Sequence, residues 1–117
     1  MDYKHINPEY LFSVSGGDGE TVKEIISMFR EQTAEIYQSM LLALDSGDYG
    51  SVGLLAHKVK SSCMIMGMTD LAAMLKKMEI NATEGKETGS FRQNIERFRA
   101  ETSQALTELD DLIINRL

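Results

Sequence analysis

Apolar positions in this chain recur at steps of three and four through four long stretches, the spacing of one buried face on an α-helix. From Glu20 to about Asp45 the series Val22, Ile26, Phe29, Ile36, Met40 and Leu44 keeps that period, with Thr33 filling the step between. It predicts one helix of about 26 residues, about 39 Å long at ~1.5 Å per residue. A second helix is expected over about 48–66, where Val52, Leu55, Val59, Ser62, Cys63 and Met66 share a face and Gly67 interrupts. A third pattern, Leu71, Leu75, Met78 and Ala82, follows a Thr69 or Asp70 cap and ends at Glu84-Gly85-Lys86. The last runs from about Ser90 through Phe91, Ile95, Phe98, Thr102, Ala105, Leu109 and Leu112.

Turn residues punctuate these stretches. Asn7-Pro8-Glu9 sets a cap residue before a proline at the first helical position, which predicts a short helix through about Phe12. Ser15-Gly16-Gly17-Asp18-Gly19 and Ser46-Gly47-Asp48 break the chain. No run of alternating β-branched and aromatic residues is bounded by turns, so strands are not expected. The expected architecture is all-α: an antiparallel up-down four-helix bundle with a short N-terminal capping helix. A chain of 117 residues has room for one core, and a single domain over 1–117 is expected. There is no internal repeat and no low-complexity tract.

Composition narrows the function classes. Hydrophobic residues at 43% and charged residues at 26% suit a globular domain rather than a disordered one. A net charge of -6 disfavours nucleic acid, whose phosphates need a basic surface, and leaves a protein as the expected partner. No apolar run reaches the ~18 residues of a membrane span, and Met1-Asp2-Tyr3-Lys4 does not open a signal peptide. A cytoplasmic protein with no membrane association is expected. The one cysteine, Cys63, lies on the apolar stripe and reads as a small core residue in a reducing compartment. No zinc or redox motif is present, so no metal site is expected. His5 reads as a tail residue whose spacing from His57 suggests no metal pair.

The candidate chemistry centres on His57-Lys58-Val59-Lys60-Ser61-Ser62. His57 falls off the apolar stripe, on a face with Gly53, Lys60, Ser61 and Met64. Small residues one turn to either side leave room for another protein to press close. A neutral imidazole keeps a nucleophilic nitrogen at cytoplasmic pH, which makes His57 a candidate phosphoryl carrier. A histidine alone would read more simply as a solvated surface residue. Lys60, one turn along, is placed to neutralise a phosphoryl group of about two negative charges; its alternative is an ordinary solvated lysine. Lys58, Lys76 and Lys77 are candidates for a local basic patch.

Glu79 lies on the following helix. If the two helices pack antiparallel, its carboxylate could accept a hydrogen bond from Nδ1–H of His57 and fix the tautomer that presents Nε2. The alternative is a surface glutamate. Ser61 faces the site as a candidate phosphoryl contact, whereas Ser62 is expected to pack inward. Gly53, Lys58, Met64, Met68, Ile25 and Met28 are the candidate partner-binding residues, methionine being suited to a surface that must accept and release. A methionine-rich core competes with that reading in a chain with eight methionines.

On these residues the chain resembles the histidine-containing phosphotransfer (HPt) domains of two-component phosphorelays, over nearly its whole length. The family pattern after its histidine runs apolar, lysine, glycine, serine or alanine, glycine, apolar, and an acidic or amide residue. Here those places hold Val59, Lys60, Ser61, Ser62, Gly67, Leu71 and Glu79. Ser61 departs from the usual glycine but is small enough to keep the surface open. Gly16-Gly17-Asp18 and Ser46-Gly47-Asp48 are also similar to the family.

The resemblance implies that His57 accepts a phosphoryl group from a receiver-domain aspartate and passes it to another receiver. Response-regulator receiver domains and a hybrid histidine kinase are the implied partners. It implies no cofactor of the chain's own, with Mg²⁺ supplied by the receiver. No Walker lysine motif or glycine-rich nucleotide fingerprint is present, so no ATP binding or autokinase activity is expected. The competing class is a helical adaptor that binds a receiver or another signalling protein without accepting phosphate; it would have no use for the histidine. A monomer is expected, and Met1 with a last helix running to Leu117 leans toward a free-standing protein over a piece of a larger kinase.

Overall fold

Side-chain caps set where the first three helices begin. In a computed structural model that describes residues 3–117, Asn7 opens α1 (Pro8–Val14), its Oδ1 accepting from the Tyr10 N–H at 3.1 Å. Asp18 opens α2 (Gly19–Asp45) by accepting from the N–H of Thr21 at 3.2 Å and its hydroxyl at 2.7 Å. Asp48 does the same for α3 (Tyr49–Ile65), taking the Ser51 N–H at 3.1 Å and hydroxyl at 2.6 Å. Each bond from a backbone N–H satisfies a donor that the first turn of a helix leaves unpaired. Met1 and Asp2, part of the opening that does not read as a signal peptide, lie outside the described residues.

The start of α4 (Thr69–Glu84) departs from expectation. Neither Thr69 nor Asp70 caps it; the backbone of Met68 holds the cap position, with no side-chain cap bond. Gly67 takes a left-handed φ of 83°, and Met68 N–H bonds back to the Cys63 carbonyl at 2.9 Å. The turn is so short that Thr69 is already helical. A 3-10 turn, Thr88–Ser90, leads into α5 (Phe91–Arg116). All elements among the described residues are helical, as the apolar period predicts.

The helices close around one contiguous apolar core. Val22, Ile26, Phe29, Ile36 and Met40 of α2 are buried, as are Phe91, Ile95, Phe98, Leu109 and Leu112 of α5. Thr33 and Thr102 are buried too, each hydroxyl donating to the carbonyl one turn back, Phe29 at 2.9 Å and Phe98 at 2.7 Å. Two expected core positions shift: Ala43 rather than Leu44 is buried on α2, and Ala56 rather than Leu55 on α3. On α3 the reason is the neighbour. The buried face, Val52, Gly53, Ala56, Val59 and Cys63, carries small residues because α4 packs closely there.

Cross-helix pairs order the bundle. Along α2 and α5, Arg30 meets Asp110, Tyr37 donates to Glu96 at 2.8 Å, and Asp45 meets Arg92. The longest dimension of 43 Å matches the length of a 27-residue α2 at ~1.5 Å per residue. Residues 3–7 form a strap rather than a loose tail. Glu108 accepts the N–H groups of Lys4, His5 and Ile6 at 3.0, 2.9 and 3.2 Å, and Asp111 accepts the Tyr3 hydroxyl at 2.7 Å. Asn7 N–H then bonds to the Met66 carbonyl at 2.9 Å, tying the strap to the end of α3. Among the described residues no helix is long and apolar enough to cross a membrane.

Candidate functional site

The site begins with a missing side chain. A Cβ on Gly53 would stand 2.9 Å from the Cβ of Ala82 and 3.4 Å from the carbonyl oxygen of Glu79. Two helices approach this closely only where one side contributes no side chain. Gly53 is therefore buried in the α3–α4 seam, which corrects its expected place on an exposed docking face. Its role is to bring α4 against α3.

That approach places Glu79 beside His57. Glu79 Oε2 lies 2.9 Å from His57 Nδ1, and Oε1 lies 3.1 Å from Lys60 Nζ. The imidazole is 64% exposed, while the Glu79 and Lys60 side chains are 28% and 26% exposed. Burial on its own pushes the Glu79 carboxyl up, but the Lys60 hydrogen bond and the charges of His57 and Lys60 outweigh it and hold the group below its usual range. An ionised carboxylate accepts and does not donate. With Nδ1 engaged, Nε2 is the ring nitrogen left for chemistry at the surface.

The other candidates scatter. Ser61 is exposed one turn beyond His57, and Ser62 is half-buried with its hydroxyl donating to Gln32 Oε1 of α2 at 2.5 Å. Ile25, Met28 and Lys58 are brought together, with Gln32, Ser62 and Ile65, around a cleft of about 450 Å³ between α2 and α3. Met28 is 68% exposed and Met64 is exposed on α3. Met68 is not: at 4% exposure it lies in the core beneath the α3–α4 turn, where the short connection forces its side chain inward. Lys77 does not join a patch around His57. It lines a separate cleft between α4 and α5 with Asn81, Asn94 and Arg97, because its position on α4 faces away from α3.

Two residues escaped the sequence reading. Leu54, one turn before His57, is 72% exposed, and its place off the apolar stripe was the available signal. Gln32, polar within a helix, gave no signal until its partner Ser62 was in view. Among the described residues no three metal-ligating side chains cluster.

A surface imidazole steadied at one nitrogen by a carboxylate, with a lysine on the same carboxylate, is suited to nucleophilic transfer of a charged group. The family model of the Hpt domain matches residues 24–113, and the chain belongs to that family, the histidine-containing phosphotransfer domains. Its role is phosphotransfer in phosphorelays. The fold is similar to that of histidine-containing phosphotransfer protein B (HptB) from Pseudomonas aeruginosa PAO1, with a TM-score of 0.87 and 22% identity over 99% of this chain and 100% of that one. A comparison with curated protein sequences finds no match.

Proposed function

We propose that the chain is a phosphorelay intermediate that accepts a phosphoryl group on His57 Nε2 from a receiver-domain aspartate and passes it to a second receiver. The observation that carries this reading is the pairing of His57 Nδ1 with Glu79 Oε2 at 2.9 Å on a ring that is 64% exposed. It leaves one nucleophilic nitrogen facing solvent. Lys60 compensates phosphoryl charge, and Ser61 offers a hydroxyl beside the ring. Lys58, Met64, Ile25, Met28 and the added Leu54 form the receiver's landing area.

The scaffold is read as one domain, an antiparallel up-down four-helix bundle with α1 capping an end. The crossed pairs Arg30–Asp110 and Asp45–Arg92 support that arrangement, since numbers rise along α2 as they fall along α5. The chain acts as a cytoplasmic monomer, exchanging phosphoryl groups with response regulators and a hybrid histidine kinase. It needs no cofactor of its own; Mg²⁺ and the acidic pocket belong to the receiver.

Incubation with a receiver carrying a radiolabelled aspartyl phosphate tests the reading. An acid-labile, base-stable label is expected on the wild-type chain and is expected to vanish in His57→Gln. A wild type that stays unlabelled across a panel of receivers it binds would replace this reading with that of an adaptor.

A further inference from the structure

Polar side chains tie α2 to α5 through Arg30 with Asp110 and Tyr37 with Glu96, α2 to α3 through Gln32 with Ser62, and α3 to α4 through Glu79 with His57 and Lys60. Among the described residues no side-chain pair ties α4 to α5, which stand apart around a cleft of about 800 Å³. That cleft is nonetheless lined with polar groups. Lys77 precedes Asn81 by one turn on α4, and Arg97 follows Asn94 by one turn on α5. Both asparagines are half-buried. Lys86 adds a third cation from the connection between the two helices. Asp70, in the first turn of α4, and Glu87, just before the 3-10 turn, supply two carboxylates.

A seam between bundle helices is ordinarily filled with apolar side chains or with polar ones bonded to each other. Here each helix contributes a cation and an amide to open space. Ammonium and guanidinium groups only donate, and an asparagine amide donates through its NH₂. Lys77 and Arg97, on opposite walls, repel each other, and a dianion between them would reverse the sign of that interaction. Arg97 is engaged by Glu101 through Nε, a bond in which its two terminal nitrogens take no part. Asp70 lies two turns from Lys77, about 10 Å along the helix axis, too far to neutralise it. Glu87 adjoins Lys86. Lys77 and Arg97 are left as the cationic centre, with carboxylates beyond it that accept and do not donate.

We infer that the α4–α5 cleft binds a hydroxyl-bearing phosphate monoester, the class of the sugar phosphates. The phosphoryl group, with about two negative charges, sits between Lys77 and Arg97 and takes the amides of Asn81 and Asn94. Hydroxyls of the same ligand donate to Asp70 and Glu87. A simple carboxylate would bring too little charge for this centre, and an uncharged polyol would leave it unmatched. The volume falls within the ~300–1,000 Å³ of small-molecule sites. None of these residues belongs to the His57 site, so the inference does not depend on the phosphoacceptor reading.

Ribose 5-phosphate, titrated into the isotope-labelled full chain at constant ionic strength and followed by proton–nitrogen NMR, tests the site. Saturable shifts are expected at the side-chain amides of Asn81 and Asn94, with a Kd on the order of 1 mM, the strength of a small ligand in an open polar cleft. Ribose should shift neither amide. Inorganic phosphate should bind about threefold or more weakly than the ester, since it lacks the sugar hydroxyls. The double variant Lys77→Gln, Arg97→Gln should weaken binding roughly tenfold or more. Both residues are exposed; should the variant fail to fold, the wild-type shift map decides alone. Shifts that do not saturate by about 20 mM, that centre on Lys60 instead of the cleft, or that sulfate reproduces would overturn the inference. So would an unchanged Kd in the folded variant, and inorganic phosphate binding as tightly as the ester would remove the hydroxyl contacts and the ligand class with them.

Discussion

Gly53 and Ala82 meet across the α3–α4 seam with no room for another carbon, since a Cβ on Gly53 would stand 2.9 Å from the Ala82 methyl. The contact lies one turn from His57 on α3 and within a turn of Glu79 on α4. Separation of the helices and reach of the carboxylate are thus one variable. Gly53→Val is expected to destabilise the protein by about 1–3 kcal/mol, the cost of overpacking a fitted interface. It should also move the His57 nitrogen resonances as the Glu79 contact loosens. Urea unfolding and NMR check the two effects, and an unchanged midpoint would mean that the seam yields freely.

Lys60→Ala is expected to slow phosphotransfer from a receiver on the order of tenfold, about 1.4 kcal/mol in the barrier. The lysine sits at the rim of the core rather than within it, so the thermal unfolding midpoint should change little. Rapid-quench kinetics measure the rate; a variant as fast as wild type would remove the proposed charge compensation.

Acid should weaken the fold through three carboxylates. Hydrogen bonds from the hydroxyl and N–H of Thr21 hold Asp18 below its ordinary range, and those of Ser51 do the same for Asp48. Burial raises Glu79, but its hydrogen bonds and charge interactions with Lys60 and His57 together outweigh that and lower it. A carboxyl depressed in the folded state stabilises it above the unfolded value, about 4 for Asp and Glu, and that contribution disappears as pH falls through the folded value. Thermal midpoints should therefore be flat from neutrality to about pH 5 and fall below about pH 4. Asp48→Asn keeps an accepting cap without a titration, so its acid drop should be smaller; an equal drop would discount Asp48.

The strap predicts a local effect and a global one. Glu108→Ala should speed hydrogen exchange at the amides of Lys4, His5 and Ile6, which it now binds, by roughly tenfold or more. Gly67→Ala should act on the whole molecule. A Cβ there would fall 2.4 Å from that of Asn7, on a backbone with φ of 83°, a combined cost of about 2 kcal/mol or more. Exchange at residues 4–6 that is already fast in wild type would discount the strap.

The resemblance to phosphotransfer domains could be read from residues close in sequence, because helical period, caps and the offset of Lys60 from His57 are local properties. Glu79 could be placed only conditionally, since its reach depended on how two helices pack. Gly53 misled for a related reason. It shares the histidine's side of the helical wheel, yet it lies far enough around the wheel to face α4, and a small residue reads equally as an open surface or a tight seam. Met68 and Lys77 misled because a three-residue turn and a helix's rotation about its axis leave no trace in composition.

Sequence alone determined the helices, most of their buried stripes, and a histidine standing off the stripe, since each follows from torsional preference and a 3.6-residue repeat within one segment. Tertiary packing decided which neighbour each face meets and at what distance. The summed volume of side chains on both sides of a seam sets that distance, and a fraction of an ångström there separates a surface glutamate from one shared between an imidazole and a lysine.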